Sequence, residues 1–110
     1  MKILALEREV EGTCWDNTEK LLEQEAQHIF QLYLSDSLRE IYFTEEKNAV
    51  IILETKDKNT AKELLDALPL VKSGMIRFEM MELRPYTGYE RILKYFKALI
   101  IPSSSTESVI

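Results

Sequence analysis

The chain has 110 residues, 45% of them hydrophobic, and a formal net charge of −5. This is the size of one domain with one packed core. Its acidity, with lysines and arginines interleaved among acids and no basic patch, argues against a phosphate backbone as partner. The single cysteine, Cys14, cannot form an internal disulfide, and no stretch approaches the roughly 20 apolar residues that cross a bilayer. The apolar run in MKILALEREV is interrupted by Glu7, Arg8 and Glu9, unlike a signal peptide. The expectation is a cytoplasmic protein that binds neither nucleic acid nor membrane.

In chain order, Ile3 to Glu9 reads as a strand in which Leu4 and Leu6 point one way and Ile3, Ala5 and Glu7 the other. Apolar residues on both sides mean that both faces of the sheet are covered. Gly12 and Thr13 end the pattern. Asp16 and Glu19 have the spacing of a capping box, so a helix is expected from Asn17 to Leu34, burying Leu22, Ala26, Ile29 and Tyr33 with Leu21 and Leu32 beside them. Ser35-Asp36-Ser37 is a turn. Leu38 to Thr44 and Ala49 to Thr55 read as strands joined by the polar loop Glu45 to Asn48. The run AVIIL marks the second of these as central. Asp57 or Thr60 caps a second helix that buries Ala61, Leu64, Leu65 and Leu68, and Pro69 ends it. Val71 to Gly74 leads into a last strand, Met75 to Leu83. There Ile76, Phe78 and Met80 are assigned to the helices, and Arg77, Glu79, Met81 and Leu83 to the opposite face. Tyr89, Ile92, Leu93 and Phe96 then repeat at helical spacing. The expected organisation is a domain over 1–88, a helical extension over 89–101 and a serine-rich disordered tail over 102–110.

The order strand, helix, strand, strand, helix, strand is the α+β, ferredoxin-like βαββαβ pattern, a four-stranded antiparallel sheet with both helices on one face and here an extra C-terminal helix. The other face carries apolar residues and needs a cover, and a second copy of the same face is the simplest one. At about 25 cal/mol per Å², a few hundred Å² of buried apolar surface favours pairing by several kcal/mol before entropy is subtracted. Two sheets face to face enclose a barrel-like interior.

Leu68-Pro69-Leu70, Gly74, the strand Met75 to Leu83 and Pro85-Tyr86-x-Gly88-Tyr89, with the opening MKILALERE and a helix carrying Glu25, Ala26 and Tyr33, resemble the small dimeric α+β barrel proteins, in particular the muconolactone isomerase-like and YCII-related branch. The resemblance runs from Met1 to about Ile92. It implies a homodimer. Its relatives include isomerases, dehydratases, haem-degrading and quinone-forming monooxygenases, and it assigns no catalytic residue in this chain.

Candidate chemistry therefore comes from the residues. His28, the one histidine, has the intrinsic pKa of a general acid or base, or is a boundary residue with no chemical role. Arg77 could hold a carboxylate and Glu79 move a proton, or the two form an internal ion pair. Glu7, and with it Glu40 and Tyr42, could reach the same space, and burial would raise a glutamate's pKa toward that of a base. Trp15, Tyr86 and Tyr89 are ligand-lining candidates or packing residues. The three methionines of the last strand read as core filler, and a redox role for Cys14 has no second cysteine or nearby histidine behind it. No metal site and no cofactor is expected. The leading expectation is a homodimer that binds a small apolar or carboxylated metabolite and isomerises it without a cofactor. The alternatives are a non-catalytic interaction or ligand-sensing module and a cofactor-free quinone-forming monooxygenase.

Overall fold

The computed structural model describes residues 1–93. Strands β1 (Lys2–Glu9), β2 (Leu38–Phe43), β3 (Ala49–Glu54) and β4 (Ile76–Leu83) form one sheet in the order β2-β3-β1-β4. Every neighbouring pair is antiparallel. Helices α1 (Glu19–Leu34) and α2 (Lys58–Asp66) lie on one side of it, and a single turn, α3 (Pro69–Lys72), follows α2. This is the ferredoxin-like α+β fold. The expected helical extension over 89–101 begins with a turn at Glu90–Leu93; the rest of it and the tail over 102–110 lie outside the described residues.

Alternation along the strands decides what each face carries. Ala5 stands opposite Ile51 and Met80, and Ile3 opposite Leu53, all on the helix side. Ile3, Ala5, Ile51 and Leu53 pack with Ala61, Leu65 and Leu68 into a core from which water is excluded. Each fully buried leucine or isoleucine there contributes about 1.5–3 kcal/mol relative to its exposed state. Ala5 and Ala61, both completely buried, are small enough to let helix and sheet approach closely.

Three local expectations are corrected. Helix α1 begins at Glu19 rather than Asn17, and Asp16 does not cap it: Thr18 occupies the N-cap and its hydroxyl donates to the Trp15 carbonyl instead. Asn17 has φ +57, outside helical geometry. Pro69 does stop α2 short, but it also opens α3, because a missing N–H costs nothing at the first helical position. Third, β2 contains an irregularity between Leu38 and Glu40. One extra residue in an edge strand reverses the alternation beyond it. Leu38 faces the helices, and past the bulge so do Ile41 and Phe43, leaving Glu40 and Tyr42 on the opposite face.

Among the described residues no helix covers that opposite face. Leu4, Leu6 and Val50 are half-buried at its centre, Ile52 is buried, and Met81, Leu83 and Tyr42 are exposed. Glu79 there accepts from Arg8 Nε at 3.1 Å and stands 3.6 Å from Arg77 Nη1.

Candidate functional site

Helix α1 lies over the sheet without sealing it. None of its 16 residues is fully buried. The inward stripe is Leu21, Glu25, Ile29 and Leu32, each half-buried, whereas Leu22, Ala26 and Tyr33, expected inside, are exposed. An acid on the apolar stripe keeps the helix from pressing fully onto the sheet, because burying an unpaired carboxylate is costly. What remains between them is a half-open cleft of about 1020 Å³. Its walls are Leu22, Ile29 and Phe30 from α1, Ile41 and Phe43 from beyond the bulge, and Phe78 from β4. Trp15 stands at its edge, with its indole N–H donated to Glu9.

Four glutamates line this apolar space, and two of them, Glu7 and Glu25, are half-buried. Glu7 comes from β1, on the same side of the sheet as Ala5, and accepts the Ala49 N–H at 3.2 Å. Burial pushes its pKa up, the Ala49 hydrogen bond partly offsets this, and the charge of Glu9 adds to the rise. Glu25 comes from α1 and accepts the Leu70 N–H at 3.0 Å. The Leu68 side chain carries no oxygen to cap α3, so Glu25 supplies the acceptor for that first-turn donor from another element. Its pKa is also raised, chiefly by burial; the Leu70 hydrogen bond opposes the rise, Glu7 adds to it and His28 lowers it. A carboxylate in an apolar cleft holds its proton more tightly and becomes a stronger base.

The candidate residues divide among four places. Glu7 and Trp15 are in the cleft. His28 is exposed on α1 and does not line the cleft, though it is near enough to influence Glu25. Arg77 and Glu79 are on the uncovered sheet face, ion-paired and partly exposed, so Glu7 does not share their space as expected. The reason is parity: Glu7 opposes Phe78, and Leu6 opposes Glu79. Tyr42 is on the uncovered face too, at the far edge strand, with its hydroxyl donated to Glu40 at 2.8 Å. That bond and the Glu40 charge raise the Tyr42 pKa. Tyr86 and Tyr89 pack edge to face, 4.9 Å between ring centres, in the segment after β4 and away from the cleft lining.

Glu25 is the functional candidate that the sequence reading left out. The signal was its place in the row Leu21–Glu25–Ile29–Leu32, an acid at helical spacing between apolar neighbours. Among the described residues no cluster of His, Cys, Asp and Glu fits a metal ion, and no helix is long and apolar enough to cross a membrane.

No family model and no curated protein matches this chain. Among solved structures, the chain is similar to 5-chloro-2-hydroxyhydroquinone dehydrochlorinase (TftG) from Burkholderia phenoliruptrix AC1100 in complex with 2,5-dihydroxybenzoquinone, at a TM-score of 0.55 and 13% identity, covering 78% of this chain and 96% of that one. At that identity the likeness shows the fold.

Proposed function

We propose that the helix-side cleft binds a small, ring-sized metabolite and that Glu7 moves a proton on it, making the chain a cofactor-free isomerase of the muconolactone isomerase-like kind. The observation that carries this reading is a carboxylate of raised proton affinity in an apolar cleft large enough for a ring. In such a reaction Glu7 takes a proton from a carbon next to a carbonyl. The electron pair of the broken C–H bond moves into the enolate. The protonated Glu7 then returns the proton at another carbon, so nothing is consumed. The likeness to a dehydrochlorinase that acts on a hydroxylated ring supports the ring-sized substrate.

The same reading takes the protein to be a homodimer through the uncovered sheet face. Leu4, Leu6, Val50, Ile52, Met81 and Leu83 make that face apolar, and Arg8, Arg77 and Glu79 give it charges at one end. In this arrangement Arg77 and Glu79 are interface residues rather than catalytic ones, and the site lies within each protomer.

The test is carbon–hydrogen exchange in D2O, followed by NMR over a panel of uncharged ring lactones and cyclic enones. Wild-type protein is expected to accelerate exchange at one ring position of a panel member, and Glu7→Gln to lose about 10²–10⁴-fold of that rate. Exchange that survives Glu7→Gln unchanged would contradict the assignment.

A further inference from the structure

We infer that Glu25 joins Glu7 in setting the specificity of the cleft, which selects an apolar ring bearing O–H or N–H donors and rejects one bearing a negative charge. This rests on the cleft being the binding site, as proposed above.

The two carboxylates each accept one hydrogen bond from the backbone. An ionised carboxylate only accepts. Glu7 Oε1 and Glu25 Oε1 are each occupied by one backbone N–H, from Ala49 and Leu70. Among the described residues Oε2 of each makes no hydrogen bond, and neither carboxylate is paired with a basic side chain. Two acceptors that contribute to the lining of an apolar cleft are matched by two donors on a ligand, or by one ligand that bridges them.

The charged residues of the cleft lining are predominantly acidic. Glu7, Glu9, Glu25 and Glu46 border the cleft, against one cation, Lys47, which is exposed in the loop between β2 and β3. His28 stands outside the lining beside Glu25. Arg77, the side chain best suited to a carboxylate, is on the other side of the sheet. An anion entering the cleft meets acids on β1, α1 and the hairpin loop, and like charges at short range in a poorly solvated space repel strongly. Of the apolar and carboxylated ligands that the sequence suggested, this charge pattern favours the first.

The two glutamates come from different elements: Glu7 from a central strand and Glu25 from the helix that roofs the cleft. Glu25 is tied in turn to α3 through the Leu70 N–H. A donor that engages both carboxylates therefore also holds α1 over the ligand.

Three probes that share a naphthalene and differ in one substituent test this: naphthylmethanol, naphthylmethylamine and naphthoate, titrated calorimetrically against the full chain at neutral pH. The alcohol and the amine are expected to bind at least tenfold tighter than naphthoate. Glu25→Gln keeps a carbonyl for the Leu70 N–H, so the fold is retained, and it should narrow the gap severalfold; the double variant with Glu7→Gln should narrow it further. Naphthoate binding as tightly as the alcohol overturns the inference and leaves the cleft as a site. A gap that the double variant does not change also overturns it. If no probe binds, the cleft reading fails and this inference with it.

Discussion

Glu7 and Glu25 make opposite demands on folding and on chemistry. Both have pKa values raised above 4.5, chiefly because burial disfavours the charged form. The folded chain thus binds their protons more tightly than the unfolded chain does. The stability these two groups contribute is fully present below pH 4.5 and is lost as pH rises through their raised folded values. Asp57 has the other sign. The Thr60 N–H holds its pKa down, so its contribution is present at neutral pH and fades as pH falls. Urea unfolding at a series of pH values is expected to show the decline above pH 4.5 in the wild type and a flatter profile in Glu7→Gln and Glu25→Gln. Identical profiles in all three proteins would mean that the glutamates are not desolvated. In the proposed reaction a base held ready in an apolar cleft costs stability at the pH where it works, the usual trade at a functional site.

The two helices on the sheet have different tasks. Helix α2 seals the core: Ala61 and Leu65 are buried, and Asp57 caps it with a 2.7 Å bond to the Thr60 N–H. Helix α1 leaves the cleft beneath it open. Leu65→Ala should therefore cost about 2–5 kcal/mol in chemical denaturation. Phe30→Ala, on the lip of the cleft where Phe30 is 56% exposed, should change stability by no more than about 0.5 kcal/mol and weaken ring binding instead. Equal losses of stability would show that α1 is packed as tightly as α2. The same contrast explains what could be read in advance. Strand β3 was legible because its apolar run is continuous and β4 because its alternation is uninterrupted, and the cap of α2 was narrowed to Asp57 or Thr60 because a cap acts within one turn. The α1 stripe was misread by about one residue around the helix, since Leu22 and Ala26 look more suitable for burial than Glu25. Glu25 faces inward because it satisfies Leu70, a partner 45 positions away that no local pattern announces. The bulge after Leu38 was invisible for a similar reason. Ile41 and Phe43 reach the helix side only because the pairing with β3 slips, and pairing is a property of two strands.

At the scale of the molecule, the sheet presents two apolar surfaces with different fates. One is covered by helices, imperfectly, and encloses the cleft. The other has no helix on it among the described residues and carries Leu4, Leu6, Val50 and Ile52 along its middle. An apolar sheet surface of this kind favours association, and the proposed partner is a second copy. Light scattering should give twice the chain mass of 12.9 kDa. Leu6→Arg, placed at the centre of the face, should halve it without unfolding the protein. A wild-type monomer would remove the dimer from the account and leave the cleft untouched, since the two surfaces lie on opposite sides of the sheet.

That opposition also provides the most direct test of where the site is. With uniformly labelled protein, amide shifts can be followed by NMR as naphthylmethanol is added. The shifts are expected to concentrate at cleft residues, above all Ala26, Phe30, Ala49 and Phe78, while Leu4, Leu6, Tyr42 and Arg77 stay in place. Shifts centred on Leu4, Leu6, Tyr42 and Arg77 would put the binding site on the uncovered face and contradict the assignment of Glu7 and Glu25.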